Sequence, residues 1–139
     1  MEVLDLPLTL NLGIEVSDLS QYLLKLGYTR LVCNHLGSIH ASASYTLAET
    51  TAGYLLNKKF ADIADGTIPL LRSSKIKYHR VSNEDLYSTA KFKGITVKQI
   101  SQELEDKKKV LFSIEVRLYT SNHELVFTGE YTWFVTLKS

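Results

Sequence analysis

Apolar and polar residues alternate with period two through most of the second half of the chain. Leu86, Ser88, Ala90 and Phe92 share one face against Tyr87, Thr89, Lys91 and Lys93. Val110, Phe112, Ile114, Val116 and Leu118 oppose Ser113, Glu115 and Arg117. Leu125, Phe127, Tyr131, Trp133, Val135 and Leu137 oppose Thr128, Glu130, Thr132 and Thr136. Alternation of this kind predicts antiparallel strands with one covered face. Ser121-Asn122-His123 supplies turn chemistry between the last two runs and predicts a hairpin. Ile76 and Tyr78, set between Lys75, Lys77 and His79, predict an earlier strand. The stretch from Tyr22 to Cys33 is strand-like apart from Gly27, which makes Cys33 a small buried apolar residue. The charged segment from Lys98 to Lys109 reads as a helical turn or loop, with Lys107-Lys108-Lys109 as an exposed turn.

Residues 41–59 follow a different rule. Ala41, Ala43, Leu47, Ala48, Ala52, Leu55 and Leu56, joined by Tyr45, Thr51 and Tyr54, cover well over half of a helical circumference. The remaining stripe holds Ser42, Thr46, Glu49, Thr50, Gly53 and Asn57. A helix apolar over most of its surface is a buried helix, here one wrapped by the strands. Lys58 and Lys59 close it where positive charge suits the helix dipole. The expected fold is therefore α+β: one long central helix wrapped by an antiparallel sheet of about five or six strands. Neither repeats nor linkers divide the chain, so residues 1–139 form one expected domain.

Composition narrows the function classes. The 139 residues are 45% hydrophobic and 22% charged, which suits a folded core rather than a disordered chain. Sixteen Lys and Arg against fifteen Asp and Glu lack the basic excess of a nucleic-acid binder. One cysteine excludes an intramolecular disulfide framework, and His35, His79 and His123 are too dispersed for a metal-ligand motif. Met1 to Asp5 lacks the basic flank of a signal peptide, and no apolar run approaches the roughly 18 residues of a membrane span. The expectation is a cytoplasmic domain that binds neither nucleic acid nor membrane and holds no metal.

Glu49 is the residue with the most chemical content, because an acid inside a buried helix needs either a partner or a purpose. A structural reading pairs it with a lysine or has it cap a neighbouring loop. Its context favours chemistry: the polar run Asn34-His35-Leu36-Gly37-Ser38-Ile39-His40 leads straight into the helix. A helix start offers unpaired N–H groups that stabilise a developing oxyanion. Glu49 lies roughly 12 Å further along the axis, too far for both to reach one carbonyl within a single copy. A catalytic arrangement therefore needs two copies with antiparallel helices, as a symmetric dimer provides.

These residues resemble the hotdog-fold thioesterases, in particular the PaaI-like acyl-coenzyme A thioesterases. The resemblance begins at Leu12-Gly13-Ile14-Glu15-Val16, continues through Asn34 to Ala41, and includes Tyr45-Thr46-Leu47-Ala48-Glu49 and the strands beyond. The family pattern is Asn or Gln, then Gly, then His-Gly-Gly, then Leu-Ala-Glu or Leu-Ala-Asp, and the spacings Asn34 to His40 and His40 to Glu49 fit it. The resemblance implies that Glu49 attacks the thioester or activates water. It implies that Asn34 holds that water or the thioester, and that the Ala41 N–H polarises the carbonyl. His40, Gly37, Ser42 and Thr50 would line the substrate pocket, with His40 shaping the loop rather than transferring protons. By looser analogy Ser73 and Ser74 border the pantetheine channel.

The family's glycines after the histidine are replaced here by Ala41 and Ser42, whose Cβ atoms crowd a closely approaching ligand. Ser42 could donate a compensating hydrogen bond, but capping the helix is the preferred reading. Lys58, Lys59, Arg72, Lys75, Lys77 and Arg80 are the cations available to coenzyme A phosphates. The implied activity is hydrolysis of an acyl thioester by a homodimer or dimer of dimers, with acyl-coenzyme A or an acyl-carrier thioester as substrate. No cofactor is implied beyond the coenzyme A that the substrate carries. The rivals are a non-catalytic acyl-thioester binding domain, which the Ala41-Ser42 replacement favours, a hotdog dehydratase or hydratase, and a structural interaction domain.

Overall fold

The computed structural model describes residues 2–63 and 66–138. A short 3-10 turn, Val3–Asp5, leads into α1, Pro7–Leu12. Strands β1, Ile14–Val16, and β2, Leu24–Leu26, follow, then the central helix α2, Ala41–Lys59. The chain returns as β3, Thr67–Tyr78, β4, Leu86–Phe92, α3, Val97–Lys107, β5, Lys109–Tyr119, and β6, Leu125–Leu137. One antiparallel sheet has the order β1-β2-β4-β5-β6-β3, with α2 packed against it. Helix α2, β4, β5, β6 and the hairpin turn, where His123 takes a left-handed φ of 62°, agree with the periodicity.

Four segments differ from the expectation, each for a physical reason. Of the strand-like stretch from Tyr22 to Cys33, only Leu24–Leu26 is a strand, and Arg30–Val32 is a 3-10 turn. Past Leu26 no neighbouring strand receives the backbone, and the Tyr28 N–H donates instead to the Asp85 carboxylate at 2.7 Å. Cys33 is accordingly half-buried, with its Sγ donating locally to the Thr29 carbonyl at 3.2 Å, and it is not a core residue.

Residues 97–107 form a full helix rather than a turn or loop. Thr96 and Gln99 make a reciprocal capping box, and Ile100 and Leu104, one turn apart, are its two buried residues. Strand β3 begins at Thr67, well before Ile76, and shows little alternation because it lies at the sheet edge with both faces mostly exposed. Helix α1 was not foreshadowed by apolar period; Pro7 starts it and Gly13, at φ 77°, ends it.

The core lies between α2 and the sheet. Leu47, Ala48 and Ala52 of α2 meet Ile114, Val116 and Leu118 of β5 and Tyr131 of β6 in one buried cluster. A polar pair crosses it. The hydroxyls of Thr51 and Ser88 meet at 2.7 Å, the Thr51 hydroxyl also reaches the Leu47 carbonyl, and the Leu24 N–H donates to Ser88 Oγ at 3.1 Å. Both residues are buried, and mutual satisfaction removes the cost of burying them. Tyr87, on the opposite face of β4, is buried too, against Tyr22 and Tyr119.

Gly129 of β6 permits the tightest packing. A Cβ there would stand 2.6 Å from the Tyr131 ring and 2.9 Å from the Phe127 ring. Gly129→Ala is expected to lower stability by about 1–3 kcal/mol through overpacking. Denaturant unfolding measures this, and an unchanged midpoint would mean that the two buried rings yield freely.

Candidate functional site

The polar stripe of α2 faces open space rather than the sheet. Thr46, Glu49, Thr50, Gly53 and Asn57 line a cavity of about 490 Å³. Its other walls include Phe112 and Trp133 from β5 and β6, Ile100 and Leu104 from α3, and Val3 and Leu6 from the N-terminal turns. Spacings of three and four residues put the helix groups on one face, which is why a single stripe supplies a whole wall. The volume suits a small-molecule site, and the lining combines apolar side chains with a few polar groups.

Glu49 is half-buried on this wall and makes no hydrogen bond or ion pair with any described residue. The structural expectation that a lysine or a capped loop satisfies it is therefore not met. Burial alone raises its pKa above the ordinary glutamate value. Behind it, Tyr131 donates to the Tyr45 carbonyl at 3.2 Å. Its own burial, then Tyr45 and Glu49, hold the Tyr131 phenol far above its ordinary pKa, so that it stays neutral.

The helix start is a separate locus. His40 caps α2 with its ring, Nδ1 accepting from the Ser42 N–H at 2.9 Å. Ser42 is thus not the cap; its carbonyl accepts from Thr46 Oγ1 at 2.8 Å. The Ala43 and Ser44 N–H groups return to the His40 carbonyl, whereas the Ala41 N–H has no acceptor among the described residues. No acidic side chain stands in the first turn, so the partial positive charge there is not neutralised from within the helix.

Asn34 organises the preceding loop. Its Oδ1 accepts from the Leu36 N–H, the Ser38 N–H and the Ser38 hydroxyl at 2.9, 3.1 and 3.1 Å, leaving its amide hydrogens without a described acceptor. Gly37 takes the left-handed φ of 74° that this turn requires, and its carbonyl accepts from the Tyr28 hydroxyl.

The sequence-predicted residues therefore fall into three groups. Glu49 and Thr50 share the cavity wall. Asn34, Gly37, His40, Ala41 and Ser42 gather at the helix start, and none of them lines the cavity. Ser73 and Ser74 lie exposed on β3, with Ser74 Oγ 2.9 Å from the Tyr45 hydroxyl. Of the candidate phosphate-binding cations, Arg80 is paired with Glu124, Lys58 lies over the Tyr54 ring at 5.4 Å and Arg72 over Phe134 at 5.8 Å. Lys59, Lys75 and Lys77 are exposed. Among the cavity residues that sequence reasoning missed are Trp133 and Asn57. Trp133 falls on the apolar face of the last alternating run, and Asn57 on the polar stripe, where its spacing from Glu49 and Gly53 was the available signal.

Among the described residues no group of three or more His, Cys, Asp or Glu could hold a metal ion, and no helix is long and apolar enough to cross a membrane.

A family model described as "Domain of unknown function (DUF4442)" matches residues 3–135. No curated protein matches the chain. Among solved structures, a Pseudomonas aeruginosa protein described as a "Probable Thioesterase" superposes with a TM-score of 0.81 at 20% identity, covering 98% of this chain and 91% of that one. A Bacillus halodurans protein solved with coenzyme A gives 0.65 at 23%, covering 81% and 69%. A Streptococcus pneumoniae protein described as a "Hypothetical Thioesterase Protein with Coenzyme A" gives 0.65 at 15%, covering 91% and 88%. The hotdog fold expected from the resemblance is the fold of this chain.

The raised Glu49 pKa has a sign that can be measured. The folded protein holds that proton more tightly than the unfolded chain, so stability falls as pH rises from the unfolded to the folded pKa and stays lower above it. Glu49→Gln removes this loss. Its Tm is expected to exceed the wild-type value at about pH 7 and to converge on it near pH 4, around the ordinary glutamate pKa. A lower Tm at neutral pH would reveal a favourable partner for the carboxylate.

Proposed function

Because the chain belongs to the family described as a domain of unknown function, DUF4442, we propose its function from the site itself: hydrolysis of an acyl thioester, an acyl-coenzyme A, in a cavity completed by a second copy of the chain. The observation that carries this reading is the unpaired Glu49 carboxylate on the wall of a largely apolar cavity. A half-buried acid without a partner costs stability, and active sites are where such costs are retained.

The substrate's acyl group lies in the cavity with its thioester carbonyl at Glu49. The carboxylate either attacks the carbonyl carbon or takes a proton from water that does so. The negative charge that develops on oxygen meets the free N–H of Ala41 of the partner subunit, at the positive end of its helix. Collapse breaks the carbon–sulfur bond and expels the coenzyme A thiolate; in the first route water then cleaves the acyl–Glu49 anhydride to the free acid, and in the second the proton taken by Glu49 passes to the thiolate. Asn34 contributes its free amide hydrogens to the water or carbonyl. Coenzyme A enters only as part of the substrate, and the scheme uses no metal or redox cofactor. The neighbours solved with coenzyme A support this choice of thioester.

The need for a second copy follows from distance and from an exposed strand edge. Ala41 and Glu49 are separated by roughly 12 Å along one helix. Strand β3 pairs only with β6 among the described strands and exposes Ile68, Leu70 and Tyr78. An edge of this length and apolarity is a template for pairing with another chain. It also runs beside the first turns of α2, where the Tyr78 hydroxyl donates to the Ala41 carbonyl at 3.3 Å. Pairing of β3 with its symmetry mate thereby brings one helix start toward the other copy's Glu49.

Thiol release from short, long and aromatic acyl-coenzyme A substrates tests the activity. Wild type is expected to turn over at least one class, and Glu49→Gln to lose about 100-fold or more while still binding it. Unchanged release by the variant would remove Glu49 from the mechanism, and binding without release by wild type would establish an acyl-binding module instead. Light scattering tests the shared site: a mass of twice the chain, or four times for a dimer of dimers, is expected at micromolar concentration. A fully active monomer would refute it.

A further inference from the structure

The N-terminal segment crosses the polar stripe of α2 at Gly53. A Cβ on Gly53 would stand 3.1 Å from Val3 Cγ1 and 3.9 Å from Trp133 Cη2, so Val3 takes up the room that the missing side chain leaves. The segment is held in place. The Asp5 N–H donates to the Glu2 carbonyl at 3.0 Å within the 3-10 turn, Leu4 packs against the core, and Thr9 is buried. Val3 and Gly53 line the same cavity as Glu49.

Val3 therefore stands at a boundary along the cavity. Before Gly53 the helix wall is polar, with Thr46, Glu49 and Thr50. Beyond it Leu56 and Phe60 are joined by Ile63, Ile100, Leu104 and Phe112, all apolar. No α2 residue before Thr46 lines the cavity, so an acyl chain whose thioester is at Glu49 extends toward the C-terminal end of the helix and meets Val3 at Gly53. Glu49 and Gly53 are one turn apart, roughly 6 Å along the axis. About four carbon–carbon bonds of roughly 1.5 Å span that distance.

We propose that Val3 sets the acyl length: the site takes thioesters of short acyl groups, about four to six carbons long, and Val3 keeps longer chains out of the apolar part beyond Gly53. A chain that continues past Gly53 overlaps the Val3 isopropyl group, and forcing extra methylene groups into occupied space is unfavourable. A shorter chain ends before that contact. One methylene group too many or too few in such a pocket changes the specificity by about tenfold or more. Shortening Val3 removes the obstacle without altering Glu49 or the helix start, and it joins the two parts of the cavity. The inference rests on the thioesterase reading for the position of the thioester.

Straight-chain acyl-coenzyme A substrates from acetyl to myristoyl test it by kcat/KM. Wild type is expected to peak between butyryl and hexanoyl, and to favour hexanoyl over dodecanoyl by about tenfold or more. Val3→Ala is expected to raise the dodecanoyl-to-hexanoyl ratio by about tenfold or more, and Val3→Leu to lower the hexanoyl-to-butyryl ratio. A wild-type peak at octanoyl or longer overturns the inference and leaves the thioesterase reading intact. A Val3→Ala profile that keeps the wild-type shape does the same, because a merely structural role moves all lengths together. Should Val3→Ala fail to fold, Val3→Leu carries the comparison, and an unchanged hexanoyl-to-butyryl ratio there overturns the inference. If no member releases thiol, the thioesterase reading fails separately. Dissociation constants of the same series then decide: tighter binding of the short members, relaxed by Val3→Ala, upholds Val3 as the limit, and any other result overturns it.

Discussion

Over its middle turns a helix packed against a sheet has little solvent face on which to leave its polar residues. The nineteen residues of α2 place Leu47, Ala48 and Ala52 against the sheet, and that contact organises the core. Each polar residue of these middle turns must then be satisfied internally or open onto a space of its own. Thr51 takes the first course through Ser88. Thr46, Glu49, Thr50 and Asn57 take the second, and the cavity is the space they open onto. The site is thus the unpacked side of the contact that forms the core.

The same helix divides the chemistry between its ends. The Ala41 N–H, without a described acceptor, stands at one end and the unpaired Glu49 carboxylate more than two turns on, so one copy holds apart the two groups that the proposed hydrolysis uses. In the proposed dimer strand β3 links the division to assembly, because this edge, paired only with β6 among the described strands, is tied to the helix start through Tyr78 and Tyr45. Local details serve the same end. The His40 ring takes the Ser42 N–H and leaves that of Ala41 without an acceptor among the described residues.

Much of this was legible in the sequence where one physical signal dominated. Period-two alternation located β4, β5 and β6, since each has one face on the core. It reached only the end of β3, at Ile76 and Tyr78, because that edge strand is exposed on both faces, and it gave no more than a helical turn or loop for α3, whose two buried residues are too few to set a period against a charged background. It also overextended β2, because strand propensity continues past Leu26 although the pairing partner does not. The polar stripe with Glu49 and Asn57 was readable from helical spacing, and the loop from Asn34 to His40 from its position before the helix.

The sequence by itself therefore determined the buried helix, its polar stripe and the sheet around it, because these follow from periodicity and solvent transfer within a single element. The tertiary structure alone decided that the stripe borders a cavity, that Glu49 makes no ion pair with a described residue there, and that Trp133 and Asn57 line the same space. Partnership is a property of what neighbouring elements bring. Trp133 is 76 residues beyond Asn57 in the chain, and only the closing of β6 over α2 puts them at one wall.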